Sequence, residues 1–338
     1  MKKLILASFS LMAVTTACLA QRLTNDPHIP DIEASREHQE KERLRLEQHK
    51  IIVTYEKNIQ GNYDFNCDNK WFCDYIVEVT FDDLQNLQPD VRLPIRITVP
   101  PGTRRVFSLR KVTNGPVHLS YRYKSFKGCT DPKPDTAFTY LLPVAPGKET
   151  RAFELYYIAK QFGGESEPKG WYAAGFHVHN GDTVFAARSG RVTETLEQAD
   201  LKDTGISYAR GENFVEICHN DCSFARYRVF KDSSIFVHAG DWVEAGQPLG
   251  IAGGDKYASG PQIQFSVYYN YDEEVTKNGE PTDKVHHWAY VPLRFWAKDK
   301  GKLHLTNHAS YTSEHPAELI TQEMSKKEAK KWASNHKS

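Results

Sequence analysis

From Ile51 onward the chain is written in short runs that alternate apolar with polar residues, and turn-forming residues cut each run off within about ten positions. Alternation at period two puts every second side chain on one face, which suits a half-buried strand and does not suit an amphipathic helix with its 3.6-residue repeat. Ile51 to Tyr55, Tyr75 to Phe81, Ile95 to Val99, Val106 to Leu109 and Val117 to Tyr123 are runs of this kind, separated by turns such as Pro100-Pro101-Gly102 and Asn114-Gly115-Pro116. The pattern predicts a β-sandwich over residues 51–146. A second β-rich stretch, residues 147–297, is punctuated by Asn180-Gly181-Asp182, Ala239-Gly240-Asp241 and the Gly253-Gly254 pair, and predicts a small antiparallel core. The fold class expected is therefore mainly all-β, with short helices only at the termini.

The ends of the chain read differently. Met1, Lys2 and Lys3 precede an apolar run from Leu4 to Val14 and small residues through Ala20, the order of an export signal cleaved after residue 20. Cys18 offers a competing reading as a lipid acceptor, but Thr15 stands where such sites carry an aliphatic residue. Residues 21–50 are rich in Glu, Arg, Lys and His and predict a charged helix or linker, and residues 298–338 predict a polar tail. No later run reaches 18 apolar residues, so no transmembrane segment is expected. Lys plus Arg and Asp plus Glu both number 43, which gives no bulk attraction to nucleic acid. The expected location is periplasmic or otherwise associated with the cell envelope.

After cleavage five cysteines would remain, and an oxidising compartment makes disulfides the default for them. Cys218 and Cys222 flank the turn His219-Asn220-Asp221 and are expected to pair; Cys67 and Cys73 bracket a second loop, and Cys129 is left over. No cysteine pair has the two-residue spacing of a zinc knuckle.

Several ordered segments of the second stretch resemble one family. These are Ala173-Ala174-Gly175-Phe176, Gly181 to Val192, Val215-Glu216-Ile217-Cys218-His219, Val237 to Gly250 with its "V-x-x-G-D-x-V-x-x-G-Q-x-x-G" pattern, and Ser259-Gly260-Pro261-Gln262-Ile263-Gln264-Phe265. Together they resemble the LytM or lysostaphin-like zinc metallopeptidases, over roughly Gln161 to Val267. The resemblance implies an endopeptidase of peptidoglycan cross-links, with one zinc held by a His, an Asp and the second His of a His-x-His strand, and two further His residues assisting the bound water. Carried over position by position, the ligand His falls near Glu167, the ligand Asp at Gly175 and the last ligand at Gln264, with the accessory His residues at Gln262 and Val229. None of the five retains the functional residue type. A catalytic zinc wants three strong protein donors and an open position for water, which a glycine, a valine and two neutral amides do not supply.

The expectation that follows is a degenerate member of the family with no cofactor and no metal, binding peptidoglycan or an envelope protein partner without cutting it. The groove candidates are Tyr172, His177, His179, His219, Tyr227, Gln262 and Gln264. The competing expectation is an active zinc endopeptidase with displaced ligands drawn from His177, His179 or His219. No Gly-x-Ser-x-Gly elbow is present to suggest a serine hydrolase.

Overall fold

The computed structural model describes residues 50–156, 168–197, 212–255, 257, 259–277 and 280–336, and side chains outside 274–284 within them. The proposed export signal, Cys18, the charged segment before residue 50 and Glu167 lie outside the described residues. Residues Lys50–Ser338 group as one compact unit.

The first seven strands are β1 (Ile51–Lys57), β2 (Tyr63–Asn69), β3 (Tyr75–Gln85), β4 (Leu87–Pro89), β5 (Ile95–Val99), β6 (Gly102–Lys111) and β7 (His118–Lys127). They form two antiparallel sheets, ordered β1-β2-β6-β4 and β5-β3-β7. Alternation brings Phe65 and Phe107 from the first sheet against Phe81 and Tyr121 from the second, with Phe65 stacked on Phe107 at 4.4 Å and edge-on to Tyr121 at 5.0 Å. Aromatic pairs in these geometries add to simple burial, and the two sheets pack face to face as the alternation predicts.

The second body begins with β8 (Thr139–Leu141), β9 (Glu149–Glu154), β10 (Ala174–His177), β11 (Thr183–Phe185), β12 (Gly190–Leu196), β13 (Phe214–Cys218) and β14 (Ser223–Arg228). It continues with β15 (Phe230–Ile235), β16 (Trp242–Val243), β17 (Pro248–Ala252), β18 (Gln262–Lys277) and β19 (Glu280–Tyr290), and closes with β20 (Arg294–Ala297), β21 (Gly301–Leu303) and β22 (Ser310–Thr312). A nine-stranded sheet, ordered β16-β12-β13-β14-β18-β10-β9-β22 with β19 paired to β18, carries the centre of the molecule. One face packs Val215, Ile217, Ala225, Tyr227, Ile263 and Phe265 into the main core. Among the described residues helices are confined to α1 (Ala317–Ile320) and α2 (Lys326–Asn335), the latter opened by a capping box between Ser325 and Glu328. No helix among the described residues is long and apolar enough to cross a membrane.

Two segments pack where the alternation alone did not place them. Phe138, Tyr140, Leu142 and Val144, expected at the end of the sandwich, lie in the core of the second body, and β8 pairs in parallel with β20. The expected polar tail is likewise built in: Tyr311 is buried in the same core, and Glu323 receives both the Nε and an Nη of the buried Arg188 at 3.1 and 2.7 Å. The cysteine pairing also differs. Cys222 is joined to Cys129, 93 residues earlier, and Cys218 is a free thiol, as are the buried Cys67 and Cys73. Cys222 sits in the left-handed region at the β13–β14 turn, φ 64°, and is bonded to Cys129, in the segment after β7, instead of to its neighbour Cys218.

Candidate functional site

The strands that carry the candidate residues present two faces. On β18, Ile263, Phe265 and Val267 enter the core, so Gln262, Gln264, Ser266 and Tyr268 point the other way. On β10 the core residues are Ala174 and Phe176, which leaves Ala173, Gly175 and His177 on the outer face; on β14 they are Ala225 and Tyr227, which leaves Arg226 and Arg228 outside. Register then assembles the outer face. Gly175 lies opposite Gln264 on one side and Phe153 on the other, His177 lies opposite Gln262, and Gln264 lies opposite Arg228.

Thus Gly175, Gln262, Gln264 and His177 come together on one face. The space above Gly175 is filled. A Cβ built on Gly175 would stand 2.1 to 2.5 Å from three atoms of the Phe153 ring, far inside any contact distance. The same ring lies 4.6 Å from that of His177. Partial burial, with Arg151 and His308 nearby, lowers the His177 pKa and favours its neutral form. Val229 is buried with φ 72°, an uncommon conformation for a β-branched residue, and its backbone is held by Asn213 and Gly253.

The remaining groove candidates do not join this face. Tyr227 points into the core, where its hydroxyl accepts from the Ala187 amide at 2.7 Å, and Tyr172 packs against the same core on the parity of Ala174. His179 is exposed beside Asp182 at the turn after β10. His219 is buried, with its Nδ1 donating to the Ser189 carbonyl at 2.8 Å; burial and then the Arg188 charge push its pKa down to about 3, so it is neutral.

What the sequence reading missed is the charge on this face. Glu216, fully buried on β13, accepts from Lys127 at 2.6 Å, Arg226 at 2.7 Å, Thr193 at 2.8 Å and the Tyr268 hydroxyl. Burial disfavours its charge, but Lys127 and Arg226 outweigh that and hold its carboxyl well below the usual range. Lys127 also reaches Glu194 at 3.1 Å. Arg228 pairs with the buried Glu212 at 3.1 Å, and Tyr257 donates to that same carboxylate at 3.0 Å. Lys127, Glu216, Arg226 and Arg228, with the aromatic side chains of Trp171 and Trp288, line a cleft of about 380 Å³ that also includes Gln264. The signal was available in the sequence: Arg226 and Arg228 flank Tyr227, and two charges at alternate positions identify an outward face.

The sequence profile of Peptidase family M23 matches residues 169–283. This stretch is an M23 domain. No curated protein matches the chain. Among solved structures, the catalytic domain of the antimicrobial peptidase lysostaphin from Staphylococcus simulans is 23% identical, over 35% of this chain and 86% of that one, with a TM-score of 0.23. A mutant catalytic domain of the prophage-encoded M23 protein EnpA from Enterococcus faecalis is 19% identical, over 44% and 95%, with a TM-score of 0.26. A putative M23 peptidase from Pseudomonas aeruginosa is 14% identical, over 57% and 82%, also at 0.26.

The described residues of the M23 domain do not fit the zinc ion that the family resemblance implies. Gly175 and Val229 have no donor atom, Gln262 and Gln264 offer neutral amides, and the place of a side chain at residue 175 belongs to Phe153. Among the described residues no group of three or more His, Cys, Asp or Glu side chains converges. His177, His179 and His219, the displaced-ligand candidates, accordingly form no such group.

Proposed function

We propose that the M23 domain of this chain is a non-hydrolysing binding module of the cell envelope that engages peptidoglycan through the outer face of its large sheet. The Phe153 ring over Gly175 carries the reading: it occupies the position from which a ligand side chain would have to project, so the loss of the ligand set is built into the packing as well as into the residue types. The wall of Trp171 and Trp288 and the guanidinium groups of Arg226 and Arg228 provide stacking surfaces and donors for a polar polymer fragment. An export signal at Met1 to Ala20 and the Cys129–Cys222 disulfide agree with a location outside the cytoplasm.

The test incubates the chain with purified sacculi and measures pelleted protein together with released muropeptides. Pelleting without release is expected, and Arg228→Ala and Trp288→Ala should reduce pelleting. Muropeptide release that survives removal of contaminating hydrolases would refute the reading. If the chain fails to pellet but co-purifies with an envelope protein through the same face, the ligand is that protein.

A further inference from the structure

Four cysteines belong to one corner of the molecule, and only two of them are joined. The Lys127–Glu216 ion pair, 2.6 Å long, fixes the end of β7 over β13. Lys127 lies opposite Tyr75 in the β7–β3 ladder, and the ladder runs one step further where the Gly128 amide donates to the Asp74 carbonyl at 2.9 Å. Continued by one more residue on each chain, beyond the ends of β3 and β7, the same register brings Cys129 beside Cys73. On the sheet below, Glu216 and Cys218 point the same way, because Val215 and Ile217 between and beside them enter the core. The turn after Cys218 closes with His219 N donating to Ser223 O at 2.9 Å and Cys222 N donating to His219 O at 3.1 Å, which brings Cys222 back beside Cys218.

Both sides therefore advance two residues from the same ion pair, a distance of about 7 Å along a strand. The upper side reaches Cys73 and Cys129; the lower side reaches Cys218 and Cys222. The Cys129–Cys222 bond, with its Cα atoms 6.1 Å apart, shows that the two sides meet at this corner. We propose that Cys73 and Cys218 form a second disulfide beside Cys129–Cys222, so that the oxidised chain carries two crosslinks between the sandwich and the β13–β14 hairpin and leaves Cys67 free.

The electrostatics agree with this placement. Burial raises the thiol pKa of Cys218 well above its ordinary value, and the next largest contribution comes from Cys73. Burial also pushes the Cys73 thiol up to about 12. Little thiolate exists at either position in the folded chain, so the bond forms as the two sheets close during folding. One cysteine thiolate attacks a disulfide of the glutathione or oxidoreductase class, giving a mixed disulfide and releasing one thiolate. The second cysteine thiolate then attacks the sulfur of the first and expels the other. Two protein thiols are oxidised, two protons leave, and the oxidant disulfide is reduced to two thiols. The crosslink fixes Lys127 as one wall of the cleft, and it stands independently of the binding reading.

The test refolds the reduced full-length chain in a glutathione redox buffer, blocks free thiols by alkylation, and maps the non-reduced peptides by mass. The expected product links Cys73 to Cys218 and Cys129 to Cys222, with Cys67 alkylated. A Cys129→Ser/Cys222→Ser double variant should still yield the Cys73–Cys218 peptide, which keeps the test informative if removal of Cys73 alone prevents folding. Alkylation of both Cys73 and Cys218 in chains that contain Cys129–Cys222 would overturn the proposal, and so would the alternative pairing Cys73–Cys129 with Cys218–Cys222.

Discussion

A double-mutant cycle at Gly175 and Phe153 tests the closure of the site directly. In the native chain a Cβ at residue 175 meets the Cζ, Cε2 and Cε1 atoms of Phe153 at 2.1, 2.3 and 2.5 Å, so the ring must move by more than 1 Å. Forcing one extra carbon into a packed site of this kind costs about 1–3 kcal/mol. Phe153 is only half-buried, so Phe153→Ala should cost about 2 kcal/mol, less than the 3–5 kcal/mol of a fully buried Phe. With the ring gone, Gly175→Ala should cost nothing and could return the ~0.5 kcal/mol that glycine loses in a strand through backbone entropy. The expected coupling is then about 1–3 kcal/mol, favouring the double variant over the sum of the singles. Urea unfolding of the four chains, read as midpoint shifts at constant slope, measures it. An equal cost for Gly175→Ala in both backgrounds would show that Phe153 does not cover residue 175, and the argument for a closed ligand position would fall with it.

The buried His219 gives a pH signature. Burial and Arg188 hold its folded pKa at about 3, below the ordinary 6.5, so its contribution is fully present above pH 6.5 and is lost as pH falls toward 3, at a slope approaching about 1.4 kcal/mol per unit; stability curves of native and His219→Gln chains should converge as pH drops through that window, and parallel curves would refute the assignment. Glu216, held low by Lys127 and Arg226 against its burial, has the opposite requirement of staying charged, so its contribution persists down to the ordinary carboxylate range near 4.5 and is lost only below it, a loss that Glu216→Gln should abolish in acid titrations of unfolding. In a Cys73→Ser/Cys218→Ser background, removing Cys129–Cys222 by a further Cys129→Ser/Cys222→Ser change should cost about 2–5 kcal/mol, since the bond then closes a loop across 93 residues alone, and an unchanged urea midpoint would count against the bond.

The strands and the M23 core were legible because both are local signals. The runs Tyr75 to Phe81 and Val215 to Ile217 show their period within a few residues, and Gly181, Gly240, Gly246 and Gly260 all adopt the positive φ that makes glycine the residue for such turns. The site positions Gly175, Gln262 and Gln264 followed from ungapped motifs, and they do come together. What sequence reading lost was parity and distance. Tyr227 and Tyr172 were placed in the groove although a shift of one residue in a strand changes the face, and the charges at Arg226 and Arg228 marked the outer parity. The partner of Cys222 lies just beyond β7, 93 residues away, and nothing local distinguishes Cys129 from Cys218 as that partner. The residues of 138–144 and Tyr311 join the second core through long-range pairing with β20 and β9, which no window of sequence displays.

The cleft on the outer face of the large sheet is small, and this limits what it can hold. Lys127, tied to Glu216 and Glu194, stands in the wall of the cleft, and the cleft itself is about 380 Å³. That is near the lower limit of ordinary ligand sites, which run from about 300 to 1,000 Å³. Under the proposed function, a cleft of this volume accommodates the end of a short peptide or one sugar unit and is too small for a whole cross-link with both its arms. Soluble muropeptides should therefore compete with sacculi for the chain, with a midpoint that does not improve as the fragments become longer or cross-linked. Competition pelleting with fragments of graded length reads this out. Competition strengthening at least tenfold, about 1.4 kcal/mol, from monomeric to cross-linked fragments would mean that the binding surface extends beyond the cleft, and the size of the cleft would not be what sets the ligand.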